Sequence, residues 1–258
     1  MKLLVCVKQV PETEALISID PSSRWVTVGG ASVYRTNRFD ECAVEAAVQL
    51  KENIPGTRIH ILSVGPERSE AVIRRSMGMG ADQGTHIVTP QDEFVDPSTL
   101  AGWIAASPAA TDADLIFCGA MSEDLMQGQV GPILAERLSL PCATSVVRVE
   151  VQSDGTSVHV EREIESGYRE TLVMQLPALL TIQTGINQPR YPSLSKLLRA
   201  NKLALDTMHA DAMGRPDSLQ TVKRVRLPGK SRDAVFLEGT TAEKADQLIR
   251  ILADRVFI

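Results

Sequence analysis

Asp114-Leu115-Ile116-Phe117-Cys118-Gly119 is the stretch that decides how this chain is read. Its apolar residues stand in an unbroken row between an acid and a glycine, too short for a helix and without the alternation of a strand that meets water on one face. Such a run fits a parallel strand buried on both sides. Leu3-Leu4-Val5-Cys6-Val7 and Arg58-Ile59-His60-Ile61-Leu62-Ser63-Val64 repeat it. Between the runs, residues 40–52 place Ala43, Ala46, Ala47, Val48 and Leu50 on one broad apolar helical face, and residues 69–79 and 129–138 show similar spacing. Strand and helix alternate, which predicts an α/β fold: an open, mostly parallel sheet flanked by helices and reached through right-handed crossovers.

After Pro141 the period changes. Residues 144–151, 158–164 and 171–176 alternate or carry β-branched side chains, and Ser153-Asp154-Gly155-Thr156 and Glu165-Ser166-Gly167-Tyr168 punctuate them as turns. These runs predict added antiparallel strands, followed by an apolar strand at residues 178–181 and a short helix at 194–202. Residues 203–232 carry Gly214, Pro216, Pro228 and Gly229 without sustained periodicity. A stretch of this kind is uncommon inside a compact domain, which leaves a disordered segment or an arm lying on another chain, the latter favoured. It leads to residues 240–253, where Thr240 or Thr241 can cap a helix whose Ala242, Ala245, Leu248, Ile249 and Leu252 form an apolar stripe. The expected organisation is an α/β domain at 1–202 and an extended C-terminal arm with its helix at 203–258.

The 258 residues are 43% hydrophobic and 23% charged, the composition of a soluble globular protein rather than a disordered, fibrous or coiled-coil one. Aromatics make up only 4%, and 27 Lys and Arg against 32 Asp and Glu give a net charge of −5, so no nucleic-acid partner is expected. No apolar stretch approaches the roughly 20 residues that span a bilayer. Lys8 interrupts the N-terminal run before a signal-peptide core can form. The expectation is a cytoplasmic protein without direct membrane insertion. Cys6, Cys42, Cys118 and Cys142 form no C-x-x-C pair, and His60, His86, His159 and His209 have no helical metal spacing, so no metal site is expected.

In an open α/β sheet a ligand lies beyond the carboxyl ends of the strands, where strand order reverses. That rule nominates Cys6-Val7-Lys8, Ser63-Val64-Gly65-Pro66, and Cys118-Gly119 with the loop that follows. The loop runs into a helix starting near Gln129, whose free backbone N–H groups favour phosphate. Gly128 and Gly131 would let a phosphate approach the backbone. Two readings stand beside each other, an adenine-nucleotide pocket and an ordinary βα loop, because neither a G-x-G-x-x-G fingerprint nor a Walker A sequence is present. Lys8 is equally open between a phosphate or flavin contact and a surface salt bridge. No nucleophile elbow or other catalytic constellation is visible, so bond-making catalysis is not expected.

Val160-Glu161-Arg162-Glu163-Ile164-Glu165-Ser166-Gly167-Tyr168-Arg169-Glu170-Thr171-Leu172, followed by Pro177-Ala178-Leu179-Leu180-Thr181, resembles the most specific stretch of the beta subunits of electron transfer flavoproteins. Ser166 departs from the Gly or acid usual there. Val7-Lys8-Gln9-Val10-Pro11, Asn37-Arg38-Phe39-Asp40-Glu41, Met79-Gly80-Ala81-Asp82, Gln129-Val130-Gly131 and Asn187-Gln188-Pro189-Arg190-Tyr191 are similar to that family too. The resemblance runs over nearly the whole chain. It implies an adenine-nucleotide-binding, Rossmann-like fold and a heterodimer whose alpha subunit supplies most of an FAD site, while this subunit packs on it and buries AMP. In a bifurcating branch of the family a second FAD takes the AMP position.

Carried over by position, the resemblance implies nucleotide contacts at Cys6, Asn37, Arg38, Phe39, Asp40 and Val64. It extends them over the segment Leu115, Ile116, Phe117, Cys118, Gly119, Ala120, Met121, Ser122, Glu123, Asp124, Leu125, Met126, Gln127, Gly128, Gln129 and Val130. Lys8 and Gly65 join them from the strand ends. Thr13 and Phe39 match positions that approach the alpha-subunit flavin, and Leu194 matches the residue that docks into partner dehydrogenases. The loop at 120–126 departs most from the family, with Leu125 and Met126 where small or acidic residues are usual, and looks closer to the carnitine- and nitrogen-fixation-associated members. The implied activity is electron carriage from a flavin dehydrogenase, such as an acyl-CoA dehydrogenase, toward a quinone reductase or another acceptor, with binding rather than catalytic residues in this chain. Two other classes compete: a standalone sensor of the universal-stress-protein type, which would have no use for the long arm, and a hydrolase of the related adenine-nucleotide class, which would need a nucleophile or metal cluster.

Overall fold

The apolar runs all lie in one sheet. The computed structural model describes residues 1–22, 24–29, 33–90, 94–214, 218–227 and 234–256, and the chain forms two compact units, Met1–Val225 and Arg226–Ile258. In the first unit the sheet is built from β1 (Lys2–Cys6), β6 (Arg58–Gly65), β7 (Gln83–Val88), β8 (Leu115–Gly119), β9 (Cys142–Val151), β10 (Ser157–Glu163), β11 (Arg169–Gln175), β12 (Ala178–Ile182) and β13 (Asp206–His209). Their order across it is β11-β10-β9-β12-β8-β1-β6-β7-β13. All pairs from β9 through β13 are parallel, and only β9-β10-β11 run antiparallel. The chain moves from β1 outward through β6 to β7, then returns to place β8 on the other side of β1. Strand order therefore reverses between β1 and β8.

Period-2 alternation within the buried strands supplies two apolar faces. Leu3, Val5, Leu115 and Phe117 point to one side, against α1 (Arg38–Asn53) and α2 (Glu70–Met79). Leu4, Cys6, Ile116 and Cys118 point to the other, against α3 (Pro97–Ala105) and α5 (Val130–Leu138). Burying each such leucine, isoleucine or phenylalanine is worth about 1.5–3 kcal/mol. The fit is close enough that a Cβ on Gly131 would lie 2.6 Å from Thr181 Cγ2 of β12. Two short antiparallel pairs stand apart from the sheet, β2 (Gln9–Pro11) with β5 (Tyr34–Thr36) and β3 (Ile17–Ile19) with β4 (Val26–Val28). The remaining helices of this unit are α4 (Pro108–Thr111) and α6 (Leu194–Ala200).

The first unit ends later than the pattern suggests. The sequence reading starts the arm at residue 203, but β13 pairs in parallel with β7 and Trp103 Nε1 of α3 donates to the Gly214 carbonyl at 2.7 Å, so residues up to Val225 cluster with the α/β unit. A four-residue edge strand with Asp206, Thr207 and His209 held by backbone pairing leaves no apolar period to read. Pro216, Pro228 and Gly229, which mark breaks in the sequence, lie outside the described residues. The second unit contains α7 (Thr241–Val256), whose start is a capping box: Thr240 N and Oγ1 donate to Glu243 Oε2 at 2.7 and 2.9 Å, and Glu243 N donates back to Thr240 Oγ1. Leu248, Ile249 and Leu252 on this helix are exposed.

Candidate functional site

The reversal of strand order opens a cleft of about 260 Å³ at the carboxyl ends of β1, β6 and β8. Its floor is the last turn of each strand, with Cys6, Lys8, Val64, Gly65, Cys118 and Gly119 among the lining residues. Asp40, in the first turn of α1, holds two of these ends together. Its Oδ2 accepts from Lys8 N at 2.7 Å and its Oδ1 from Gly119 N at 2.9 Å. A side chain on Gly119 would collide with Asp40 Oδ1 and Phe39 Cβ, so this junction requires glycine. Only 5% of Asp40 is exposed. Burial pushes its carboxyl up to about 7, and the N–H donors that face it offset only part of that cost.

The loop at 120–129 is fastened from the same helix end. Asn37 Nδ2 donates to Met121 O at 2.9 Å and Asn37 Oδ1 accepts from Glu123 N at 3.1 Å. Glu123 Oε2 takes Arg38 N and the Arg35 guanidinium, and Lys8 Nζ meets Asp124 Oδ1 at 2.7 Å. Within the loop, Ser122 N donates to Gln127 O and Met126 N to Ser122 O. Gly128 closes the turn, because a Cβ there would lie 2.5 Å from Ala120 O. Gly128 and Gly131 are thus demanded by packing of the loop and of α5, and both also line the cleft. The helix start behaves as expected of an anion-facing terminus in one respect: no side chain caps α5 at Gln129, and Val130 and Gly131 line the cleft.

The opposite wall comes largely from segments that carry no motif, beyond Gln9 and Pro11 of the 7–11 run and Pro66 after β6. Gln9, Pro11, Ile17, Trp25, Val26, Val28 and Tyr34 line it from β2 to β5, and Pro66, Arg68, Ser69, Thr89, Phe94, Val95, Pro97, Leu100 and Ile104 from the connections after β6 and β7. Trp25 and Phe94 pack with ring centroids 5.3 Å apart, and the Arg68 guanidinium lies 4.1 Å from the Tyr34 ring centroid. Gln9 Nε2 donates to Arg68 O, while its Oε1 is buried without a hydrogen-bond partner among the described residues. A buried acceptor of this kind suits an amino or hydroxyl donor of a bound ligand. Together with the uncapped helix start, it makes the cleft fit a small molecule with a donor-bearing end and an anionic end.

Of the residues singled out from the sequence, Cys6, Lys8, Asn37, Asp40, Val64, Gly65, Cys118, Gly119, Met121, Ser122, Asp124, Leu125, Gln127, Gly128 and Val130 converge on this cleft. Leu115, Ile116 and Phe117 do not: they are fully buried within β8, and their role is core packing. Ala120, Glu123, Met126 and Gln129 belong to the loop but lie off the wall. Glu123 braces the loop, Met126 is 70% exposed, and Gln129 Oε1 accepts from Gln220. Arg38 is exposed and half-buried Phe39 sits beside Gly119. Thr13 is exposed and does not line the cleft, and neither does Leu194, the first residue of α6. The strand-end rule reached Pro66 but stopped short of Arg68 and Ser69. Trp25 and Phe94, isolated aromatics in irregular stretches, offered no signal.

Among the described residues no cluster of three or more His, Cys, Asp or Glu could hold a metal ion, and no helix is long and apolar enough to cross a membrane. The family description "Electron transfer flavoprotein domain" matches residues 26–213. The chain is 34% identical over 265 residues to the electron transfer flavoprotein subunit beta of Bacillus subtilis (strain 168), covering 98% of this chain and 97% of that one. It is 32% identical to the subunit of the same description from Thermoanaerobacterium thermosaccharolyticum, covering 99% of each, and 34% identical to that of Mus musculus over 83% of each. With a family match over most of its length and relatives alignable nearly end to end, the chain belongs to the electron transfer flavoprotein beta-subunit family.

Proposed function

We propose that this chain pairs with an electron transfer flavoprotein alpha subunit, holds AMP in the cleft at the ends of β1 and β8, and serves in the cytoplasm as the non-catalytic half of an electron carrier. The carrier takes electrons from a flavin dehydrogenase, such as an acyl-CoA dehydrogenase, and passes them to a quinone reductase or another acceptor. FAD, shared with or held by the alpha subunit, supplies the redox chemistry when bound. This chain supplies binding surfaces and electrostatics. Thr13 and Phe39 approach that flavin from this side, and Leu194 docks the dehydrogenase. The arm and α7 pack on the alpha subunit through the exposed Leu248, Ile249 and Leu252.

The cleft carries this reading. Its volume of about 260 Å³ falls just below the roughly 300–1,000 Å³ of small-molecule sites, which favours a mononucleotide over the larger second FAD. The N–H groups at the start of α5 would take the phosphate, and Gln9 Oε1 a donor on the adenosine. The test is to co-purify the chain with the alpha subunit, release bound nucleotide by heat and identify it by chromatography. AMP with one flavin per heterodimer is expected. Two flavins would establish the bifurcating alternative, and recovery of no adenine nucleotide would overturn the cleft assignment. Gln9→Leu should weaken AMP retention by about 2–10-fold, the worth of one neutral hydrogen bond. Removing residues 240–258 should weaken the heterodimer.

A further inference from the structure

Tyr191, Leu194 and Leu198 form an apolar surface group that is 83, 73 and 55% exposed. The segment that leads to it, residues 183–193, has no regular secondary structure and carries Pro189 and Pro192. It is nevertheless tied down at several points. Asn187 Nδ2 donates to Cys42 O of α1 at 3.0 Å. Arg190 grips Glu45 by a fork, Nε to Oε2 and Nη2 to Oε1, both at 2.9 Å, while Arg190 N adds a third bond to Oε2. The same guanidinium reaches Glu52, seven residues and two turns further along α1, through Nη1 and Nη2. The Arg75 guanidinium lies 4.8 Å from the Tyr191 ring centroid. Gly78 of α2 lets Leu197 and Pro192 seat closely, since a Cβ there would come within 2.8 Å of Leu197 Cδ2.

The Glu45 side chain is 4% exposed, so its charge has been taken almost wholly out of water. For cohesion alone an apolar residue of similar volume would serve as well or better, because desolvation consumes most of a buried pair's attraction. What the pair adds is direction: a planar fork meeting a carboxylate fixes both the position and the angle of the backbone that carries it.

We propose that Arg190 is a positioning residue for partner docking, its clamp on Glu45 and Glu52 holding the Tyr191, Leu194 and Leu198 surface in the shape that an electron-donating flavoprotein meets. This rests on the reading of Leu194 as the docking residue. Arg190 does not line the cleft. Lysine at position 190 would keep the charge but lose the fork.

The test uses the flavin-loaded heterodimer as substrate for an acyl-CoA dehydrogenase that reduces the wild type. Arg190→Lys should raise the KM for the heterodimer by roughly tenfold, a hot-spot-sized loss, with kcat and the flavin spectrum unchanged. Arg190→Gln alone strands the buried Glu45 and should also lower the Tm. The double variant Glu45→Gln with Arg190→Gln removes both charges and should regain most of that Tm while keeping the raised KM. If the double variant regains KM and Tm together, the clamp is structural only and the proposal fails. Leu194→Ala checks the parent reading. If it leaves KM unchanged while Arg190→Lys raises it, the Leu194 assignment falls and the clamp stands; if neither changes KM, both fall.

Discussion

Two carboxylates five residues apart on α1 are buried to the same degree, Asp40 at 5% and Glu45 at 3% exposure, and are kept there by opposite means. Asp40 faces backbone N–H dipoles from two strand ends. Glu45 faces the guanidinium of Arg190, whose own pKa is raised by its hydrogen bonds to Glu52 and Glu45. Dipoles fixed in the backbone cannot leave, so Asp40 ties the sheet to the helix permanently, but they compensate the charge only in part and its carboxyl rises to about 7. A counter-ion on a side chain can be removed by one substitution. The first arrangement suits a cleft whose walls must stay in register, and the second suits a surface segment that must be held at one angle.

Arg190→Gln should break this contrast most severely. It strands Glu45, whose side chain is 4% exposed, without its counter-ion, and loss of one member of a buried pair costs about 3–5 kcal/mol, measurable by denaturant unfolding of the heterodimer. Asp40→Asn should cost less, about 1–3 kcal/mol, because an amide can still accept one N–H but confronts the other with a donor. The third expectation concerns pH. The folded chain keeps a proton on Asp40 between the ordinary carboxylate value of 3.8 and about 7, where the unfolded chain has lost it, so this group's contribution to stability falls as pH rises through that window and is level above it. The deficit of Asp40→Asn against wild type should therefore be larger at pH 5 than at pH 8; an equal deficit at both would mean that Asp40 does not titrate there. Smallest of all is Glu52→Gln. Its side chain is 56% exposed, and no change in Tm beyond measurement error is expected.

The sheet was legible wherever burial on both faces wrote a continuous apolar run, as in β1, β6, β8 and β12; α1, α2, α5 and α7 were legible from their stripes, and α6 as a short helix beyond Tyr191-Pro192. β7 escaped because Gln83, Gly84, Thr85 and His86 interrupt its apolar content, although Gly84, Thr85 and His86 are buried. α3 and α4 begin at prolines and carry small residues, which weakens the helical period. Half of the cleft followed from one topological rule about strand ends. The half built from Trp25, Tyr34 and Phe94 did not, because chain crossings bring those side chains together and no local spacing records it. Gly128 and Gly131 also have a packing reason that no local spacing records: their neighbours are the protein's own Ala120 and Thr181.

Asp40, Glu45 and Glu52 also act as a gauge of helical phase. Each residue added to an α-helix turns everything beyond it by about 100° and advances it by about 1.5 Å. One residue inserted between Asp40 and Glu45 would leave Asp40 bonded at the strand ends but swing Glu45 and Glu52 together away from Arg190, and a compensating deletion after Glu52 could not bring them back. Length changes are therefore confined to places such as the hairpin tip near Gly155, where a Cβ would meet open space, while within α1 substitutions are admissible only if the count stays fixed.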